Sequence, residues 1–362
     1  MIAPKFVRMP GSNAAKPLKV LFVTYGIPRP SAELPAMIGV IKRCARLIAN
    51  LPPEMVESHL IHFGMMPKGD PLLASLLLSI KWHTLGEGDT RTGFRTLYHS
   101  LMPDWVVLGE GPVGGVMRDA SEVACEQSIP QVCIDNYYRP RQPKLLLRDF
   151  PWVRQWLLLG LPDSCGYGRI SDKFTLAPPL LGGASRTQGP RFTLTILGYD
   201  LETAERSLGF VRRLPAGTTA RLVYSPATFE HHGRLRFAAN GISLEWVPLP
   251  DDLVLRTYLE TSNMVVCKSG FQQMVEALAV GTPVIACSTT GGVPEQWLDP
   301  SLRPFVRYIP ARHEGWSRLL SAAAIWVSQR PIMPWTEEIR SFPNPSRFAA
   351  ECLLAILNDG GR

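Results

Sequence analysis

The stretch VVCKSGFQQMVEALAVGTPVI, from Val265 to Ile285, decides the fold because it joins a strand, a turn and a helix. The run VVC is typical of a buried parallel strand, and Ser269-Gly270 predicts a tight turn after it, for which glycine supplies a permissive backbone. A helix is predicted from about Phe271, and it carries a single acid, Glu276. The free N–H groups and the positive dipole end of such a helix face whatever lies above the sheet edge, which favours an anion there.

The rest of the chain repeats the same alternation of strand and helix. Helical segments between the strands are typical of βαβ units, so we predict an α/β fold of two doubly wound parallel sheets in tandem. Ligands of such sheets bind at the carboxyl ends of the strands, and the cleft between the two domains is the expected site. The predicted strands lie at 19–26, 57–64, 103–111, 129–136, 191–200, 220–226, 243–250, 263–270 and 283–292.

The alternation is interrupted once, which indicates a domain boundary. Residues 137–188 are rich in Pro, Arg, Trp and Gly, and the strand–helix pattern restarts after them. We therefore predict a flexible tail, an N-terminal domain, a C-terminal nucleotide-sugar-binding domain and a closing helical segment that packs back on the N-terminal domain. Their predicted bounds are 1–17, 18–185, 186–335 and 336–362.

Composition narrows the class of protein. The chain has 362 residues, 46% hydrophobic and 19% charged, which is typical of a folded protein of two domains. A net charge of +7 favours a polyanionic partner such as a nucleotide, a phospholipid surface or a nucleic acid. The seven cysteines are scattered without a Cys-x-x-Cys pair, which predicts buried thiols in a reducing, cytoplasmic compartment.

Two neighbouring stretches offer groups that suit a sugar nucleotide. The carboxylate of Glu276 can accept two hydroxyl hydrogen bonds, as a ribose diol offers. Glu295 and Gln296, in TTGGVPEQ (289–296), would return to the same sheet edge with acceptors and an amide donor for sugar hydroxyls. The plainer alternative is that Ser269-Gly270 is only a strand–helix turn and that Glu276 is a solvated helix residue.

The segment NMVVCKSGFQQMVEALAVGTPVIACSTTGGVPEQ (263–296) resembles the donor-binding segment of GT-B glycosyltransferases. It is most similar to the lipid-linked N-acetylglucosaminyltransferase family that completes the peptidoglycan precursor, in which a glutamate follows the Ser-Gly serine by seven residues. The resemblance implies that Glu276 binds the ribose of UDP. It also implies roles for the residues before it at uracil and diphosphate and for a pair of residues at the donor sugar: Ser269, Gly270, Phe271, Gln272, Gln273, Glu295 and Gln296. The first residue of that sugar-binding pair is a glutamine in the family.

The N-terminal domain carries weaker parts of the same resemblance. PDWVVLGEGPVGG (103–115) resembles the family's second glycine-rich loop, which implies acceptor-side roles for Gly109 and Gly111. IPQVCIDN (129–136) resembles the strand whose acid and amide line the acceptor cleft, which points to Asp135 and Asn136. The family's loop that opens the second domain is matched only by Gly198.

The first loop, TYGIPRPSAELPAM (24–37), departs from the family because it lacks the histidine often taken as the base. A carboxylate can accept a proton in its place, and Asp135 and Glu33 are the candidates. The alternatives are a structural turn acid for Asp135 and an ordinary N-terminal helix residue for Glu33. The sequence shows no metal-ligand cluster, so we expect metal-independent chemistry without a cofactor, with Lys268 or Arg186 beside the departing phosphates.

These patterns predict a glycosyltransferase that moves a sugar from a nucleotide sugar, UDP-linked first, to a hydroxyl acceptor that the sequence does not identify. The alternatives are a nucleotide-sugar hydrolase or epimerase of the same fold, or a catalytically silent binding subunit. No nucleic-acid partner is predicted, because the sequence lacks a clustered basic-aromatic motif. KLLLRDFPWVRQWLLLGL (144–161) and LLASLLLSIKWHTL (72–85) suit peripheral contact with an anionic inner membrane leaflet and a lipid-linked acceptor. The alternative for both is a pair of buried core helices.

Overall fold

The computed structural model describes most of the strands and helices of the chain. The described residues are 16–25, 38–63, 73–75, 78, 80–83, 85, 89–136, 142–160, 171–181, 192–198, 201–214, 216–224, 242–248, 252–288, 295, 303–309, 318–320, 322 and 344–359. The predictions for Glu33, Arg186 and Gln296, and for the tail 1–15, lie outside them.

The first sheet has seven parallel strands, in the order β3-β2-β1-β4-β5-β6-β7. Its strands are β1 (Leu18–Tyr25), β2 (Val56–Phe63), β3 (Lys81–His83), β4 (Trp105–Leu108), β5 (Gln131–Asn136), β6 (Gln155–Leu159) and β7 (Phe174–Ala177). Its helices are α1 (Ile38–Ile48), α2 (Thr90–Leu101), α3 (Gly115–Glu126) and α4 (Gln142–Asp149).

The second sheet has six parallel strands, in the order β10-β9-β8-β11-β12-β13. Its strands are β8 (Thr193–Gly198), β9 (Thr219–Tyr224), β10 (Ser243–Pro248), β11 (Met264–Lys268), β12 (Val284–Cys287) and β13 (Val306–Ile309). The helices that follow in the chain are α5 (Leu201–Val211), α6 (Asp252–Thr261), α7 (Phe271–Ala279) and α8 (Pro345–Asp359). The α/β fold class and the two parallel sheets predicted from the sequence are confirmed.

The central strands of both sheets are buried on both faces, which is why these strands read as continuous apolar runs. Along β1, Val20 and Phe22 belong to one apolar cluster and Leu21 and Val23 to another. The strand period of two assigns alternate residues to opposite faces of the sheet, so each sheet separates two cores.

The region that breaks the sequence pattern nevertheless continues the first sheet. Within 137–188 lie α4, β6 and β7, so the βαβ alternation does not stop at residue 136. The run WLLLGL that suggested an interfacial or core helix is largely a strand, and Trp156 is fully buried in it. Strand and helix cannot be separated in so short an apolar run, because periodicity needs a longer window.

The side chains proposed for a membrane surface divide between core and solvent. In α4, Leu146 is buried, whereas Lys144 and Arg148 are exposed. Asp149 is exposed as well and pairs with Arg148, so the exposed face of α4 carries both signs of charge, whereas Leu146 faces the core. None of the helices in the described ranges is long and apolar enough to cross a membrane.

Thiols follow the sequence prediction at most positions. Of the described cysteines, Cys125 is exposed, and the buried ones are Cys44, Cys133, Cys267, Cys287 and Cys352. All six are free, and burial raises the pKa of the Cys44 thiol to about 12. At neutral pH this thiol is therefore protonated and unreactive.

Helix α8 closes the chain against the first sheet. It packs on α1, β6 and β7, and Ser346 Oγ donates a hydrogen bond to Leu180 O at 2.6 Å. Leu353 of α8 is fully buried in the same apolar cluster as Ile41 and Cys44. The C-terminal helix therefore belongs to the core of the N-terminal half.

We expect Leu353→Ala to lower the free energy of unfolding by about 2–5 kcal/mol, because it leaves a cavity at a fully buried site. Leu353→Met, which conserves volume, should cost less than about 1.5 kcal/mol. Urea denaturation followed by tryptophan fluorescence measures both. Equal stability of Leu353→Ala and the wild type would mean that α8 is detached from the N-terminal core in solution.

Candidate functional site

Each sheet has one topological switch point. In the first sheet the chain runs outward from β1 to β3 and then returns to β4 on the other side of β1; β8 and β11 repeat this arrangement in the second sheet. The crevice at such a point lies at the carboxyl ends of the two strands and is the usual ligand site of doubly wound sheets. Most of the predicted site residues end β5 and β8 or follow β4 and β11, and so belong to the carboxyl edges of the two sheets.

The stretch that opens the C-terminal site has the predicted strand–turn–helix structure. Strand β11 ends at Lys268, and α7 begins at Phe271 with Gly270 as its N-cap. Ser269 N donates to Cys287 O at 2.9 Å and thereby extends the sheet by one residue. After α7, Gly281 has a φ of 85°, the left-handed conformation that ends helices and favours glycine.

Gly270 does not need a glycine's backbone freedom. Its φ of −80° and ψ of 124° are open to any residue, so the predicted turn forms without using the permissive backbone of glycine. A Cβ at this position would lie 3.5 Å from Gln273 Oε1, in ordinary contact. The small residue instead leaves space above the helix N-terminus, and among the described residues no side chain caps it.

Three buried polar atoms around this turn lack a partner. No donor in the described part of the chain reaches Ser269 Oγ, Gln272 Oε1 or Gln273 Oε1. Ser269 is fully buried. An unsatisfied buried polar group costs about 1–3 kcal/mol, so three in adjacent turns indicate a place where a ligand completes the hydrogen bonds.

Glu276 is not a solvated helix residue, because it is only 5% exposed. Its Oε1 accepts hydrogen bonds from Arg46 Nη1 at 2.5 Å and from Gln272 Nε2 at 3.0 Å. Arg46 lies on α1 in the N-terminal half, so this ion pair joins the two halves of the molecule. Sequence reasoning did not find Arg46, because no local pattern links residues 230 positions apart.

A small cavity lies where the two halves meet. Its lining comes from the carboxyl ends of β5 and β6, from the chain after β7 and from α7: Asn136, Leu159, Pro179, Leu180, Gln272, Val275 and Glu276. Its volume of about 10 Å³ has room for about one water molecule. The structure therefore brings the predicted acceptor-side Asn136 beside the predicted donor residues Gln272 and Glu276.

A second polar cluster surrounds the first switch point. Tyr25, the last residue of β1, donates from its hydroxyl to Glu110 Oε2 at 3.0 Å. Burial and then the neighbouring Glu110 carboxylate raise the pKa of Tyr25 well above its usual value, so Tyr25 remains a donor at neutral pH. Asp135 lies close by, and its charge raises the pKa of Tyr25 further.

Asp135 itself is nearly buried, at 8% exposure, and its Oδ1 accepts from Asn136 N at 2.7 Å. Glu110 is more accessible than Asp135 and lies in the quoted loop LGEGP, although the sequence argument did not select it. The feature of the sequence that could have indicated Glu110 is its position, as an acid at the carboxyl end of a central strand. A polar group there reads as functional only when the strand order is known.

Arg43 of α1 stabilises the strand ends that carry this cluster. Its Nη1 donates to Gly109 O at 2.9 Å and to Ile134 O at 3.2 Å, which ties the ends of β4 and β5 to α1. The guanidinium also lowers the pKa of Tyr25, against the larger effects of burial and Glu110. The cluster thus contains two carboxylates, one phenol and one buried cation.

The predicted glycines divide into two groups. A Cβ on Gly198 would come within 2.7 Å of Leu222 Cδ1, and one on Gly109 within 2.8 Å of Val40 Cγ1, so packing alone demands glycine at both. A Cβ on Gly111 would meet Asp135 Oδ2 at 3.0 Å, which places the loop backbone directly beside the carboxylate. Of these three glycines, Gly111 therefore lies next to a predicted functional side chain.

One further predicted residue, Glu295, is placed by its effect on a neighbouring tyrosine. Glu295 is exposed and, after burial and Cys267, contributes to raising the pKa of Tyr308 on β13. Tyr308 in turn donates from its hydroxyl to Met274 Sδ of α7 at 3.7 Å. Glu295 therefore lies near the C-terminal site. The described residues contain no group of His, Cys, Asp and Glu that could hold a metal ion.

Known structures share this arrangement over nearly the whole chain. The glycotransferase of kitacinnamycin superposes with a TM-score of 0.60 at 15% identity, covering 95% of this chain and 99% of that one. MurG of Acinetobacter baumannii gives a TM-score of 0.61 at 12% identity, covering 95% and 100%. UDP-GlcNAc 2-epimerase from Neisseria meningitidis, bound to UDP-GlcNAc, gives a TM-score of 0.50 at 13% identity, covering 95% and 100%.

No protein-family model matches the sequence, and comparison with curated proteins gives no match. Identities of 12–15% establish the fold alone. The chain therefore has the GT-B-like fold of two parallel-sheet α/β domains that the sequence predicted.

Proposed function

We propose that this protein is a glycosyltransferase that takes its sugar from a nucleotide sugar, UDP-linked first. The observation that carries the proposal is the set of unpartnered buried polar atoms at the start of α7, on Ser269, Gln272 and Gln273. They lie at the carboxyl end of β11, where the helix N-terminus also favours an anion. A diphosphate with its attached nucleoside supplies both the charge and the hydrogen-bonding groups.

The donor is held by α7 and the turn before it. Glu276 accepts the ribose hydroxyls, the phosphates lie over Ser269-Gly270, and Phe271, Gln272 and Gln273 contact uracil and diphosphate. Glu295 and Gln296 contact the sugar. The dipole of α7 and Lys268 offset the charge of the leaving diphosphate, so the reaction is proposed to need neither metal nor cofactor.

The acceptor binds at the edge of the first sheet, beside Gly109, Gly111 and Asn136. Its hydroxyl oxygen attacks the anomeric carbon while the proton passes to a carboxylate, and the bond from that carbon to the diphosphate breaks with the electron pair leaving on phosphate. Glu110 suits the role of base better than Asp135, since it is more exposed and is oriented by Tyr25. Asp135 and Glu33 remain the bases proposed from the sequence.

The structural neighbours support a sugar nucleotide but also support an alternative. One is a glycotransferase and another is an epimerase bound to UDP-GlcNAc. A carboxylate pair such as Glu110 and Asp135 also suits an epimerase or a hydrolase, in which a base or water replaces the acceptor. A silent binding subunit is the third candidate.

Peripheral contact with an anionic inner leaflet remains a proposal, supported by exposed Lys144 and Arg148.

We expect UDP to raise the melting temperature of the wild type, since a ligand at 100 times its dissociation constant adds about 2.7 kcal/mol of stability. Glu276→Gln should lose most of this shift because an amide accepts ribose hydroxyls more weakly than a carboxylate. Differential scanning fluorimetry with millimolar UDP, TDP and GDP measures it. Glu54→Gln, on an exposed turn, is the control and should keep the full shift.

If TDP or GDP raises the melting temperature and UDP does not, the donor carries another nucleotide, and the proposed site stands. No shift with any nucleotide would refute the proposed function. If UDP-N-acetylglucosamine is turned over, consumption that requires an added acceptor indicates a transferase, and consumption in water alone indicates a hydrolase. Conversion to another UDP-sugar indicates an epimerase, and binding without turnover indicates a silent subunit.

We expect Glu110→Gln to lower the rate of UDP release from the turned-over donor by about 10²–10⁴-fold, the usual contribution of a general base. The UDP-induced melting shift should stay unchanged, because Glu110 lies on the acceptor side. A coupled assay for released UDP measures the rate, with Glu54→Gln again as control. A wild-type rate in Glu110→Gln, with loss of rate in Asp135→Asn, would assign the base to Asp135.

A further inference from the structure

The ion pair between Arg46 and Glu276 has a feature that the proposed function does not use. Its partners come from α1 and α7, on the two halves of the molecule, and their side chains are 4% and 7% exposed. Burying two charges is costly, and an apolar pair of similar volume often stabilises a protein as well or better. Stability alone is therefore a weak reason for this pair.

Gly39 of α1 leaves room for a side chain of α7. A Cβ on Gly39 would come within 3.1 Å of Gln272 Oε1, so this side chain would have to shift by a few tenths of an ångström if a larger residue replaced Gly39. Arg46 follows Gly39 by seven residues, about two helical turns, and so lies on the same face of α1. On that face, the space left by Gly39 lies opposite Gln272, and the guanidinium of Arg46 lies opposite Glu276.

The two oxygens of the Glu276 carboxylate have different surroundings. Oε1 accepts both hydrogen bonds, from Arg46 and from Gln272. Within the described part of the chain no donor reaches Oε2, and Glu276 lines the small cavity between the halves together with Asn136. One oxygen thus fixes the side chain and the other remains available for a further donor.

We propose that Arg46 is a positioning residue for nucleotide recognition: it holds the Glu276 carboxylate in the orientation in which Oε2 can accept the ribose hydroxyls. Without Arg46, only Gln272 would hold this carboxylate, so Oε2 would no longer be fixed in one direction. Ribose recognition by the C-terminal domain therefore depends on a side chain of the N-terminal domain. This inference rests on the proposed function, since it concerns the same site.

The geometry indicates that Arg46 positions Glu276 and does not compete with the ribose for it. A competing Arg46 would occupy the atoms that the ribose needs, yet it contacts Oε1, which Gln272 also holds. Because the guanidinium is planar and always charged, it anchors a carboxylate oxygen in one orientation, which a lysine ammonium does not do as well.

The test compares UDP with 2′,3′-dideoxyuridine diphosphate, which lacks both ribose hydroxyls, by isothermal titration of the full chain. The wild type should bind UDP about tenfold or more tightly than the dideoxy analogue, as hydrogen bonds to a charged group imply. Arg46→Met should lose this preference by weakening UDP alone, with dideoxy binding unchanged. A merely structural role would weaken both ligands together.

A second variant keeps the test informative if Arg46→Met does not fold. Arg46→Met leaves the Glu276 charge buried, whereas Arg46→Met with Glu276→Gln removes both charges and should fold. The double variant should show the same lost preference as Glu276→Gln alone, because the two residues act as one unit. Arg256→Met is the matched control: it breaks the 2.7 Å ion pair with Glu260 on α6 and should keep the wild-type preference.

Three results would overturn the inference while the proposed function stands. They are an equal loss of both ligands in Arg46→Met, tighter UDP binding in that variant, and a wild type that binds UDP and its dideoxy analogue equally. A wild type that binds no nucleoside diphosphate at all would overturn the proposed function together with the inference.

Discussion

The parallel direction of every strand is the constraint on which the rest of this structure depends. Parallel strands need a crossover for each connection, and the helices of these crossovers cover both faces of each sheet. All carboxyl ends of a sheet then lie on one edge, where chain segments far apart in sequence meet. Tyr25 and Glu110 come together in this way at the first edge, as do Ser269 and Cys287 at the second.

The polar groups at these edges are poorly satisfied by the protein alone. Apolar burial stabilises the two sheets, whose central strands are fully buried. At the start of α7 that burial also encloses a hydroxyl and two amide oxygens without partners among the described residues. Stability lost at such atoms is regained when a ligand binds, because the ligand then supplies their hydrogen bonds.

The contact between the halves links these edges. Gly39 of α1 leaves room for the Gln272 side chain of α7, and Arg46 of α1 forms an ion pair with Glu276 of α7. Since α8 packs on α1, the C-terminal end of the chain supports the helix that carries Arg46. A change in how the halves meet would therefore alter the charge environment of Glu276, which connects domain arrangement with nucleotide recognition.

The sequence by itself determined the fold class and the local structure around Val265–Ile285. Continuous apolar runs, a glycine after the helix and 3.6-residue periodicity act over a few residues, and so they can be read locally. They also placed Asp135 and Asn136 at the end of a strand and Glu276 within a helix, as the structure has them. They did not reveal β6 and β7, whose runs are too short to separate strand from helix.

Only the tertiary structure decided which groups meet. The partner of Glu276 is Arg46 and the donor to Glu110 is Tyr25, and both pairs depend on strand order and on the contact between helices of different halves. It also showed that Gly198 and Gly109 are closely packed, since the atoms that a side chain there would meet come from other elements. The physical reason is that hydrogen bonds, ion pairs and steric exclusion act over a few ångströms in space, whatever the separation along the chain.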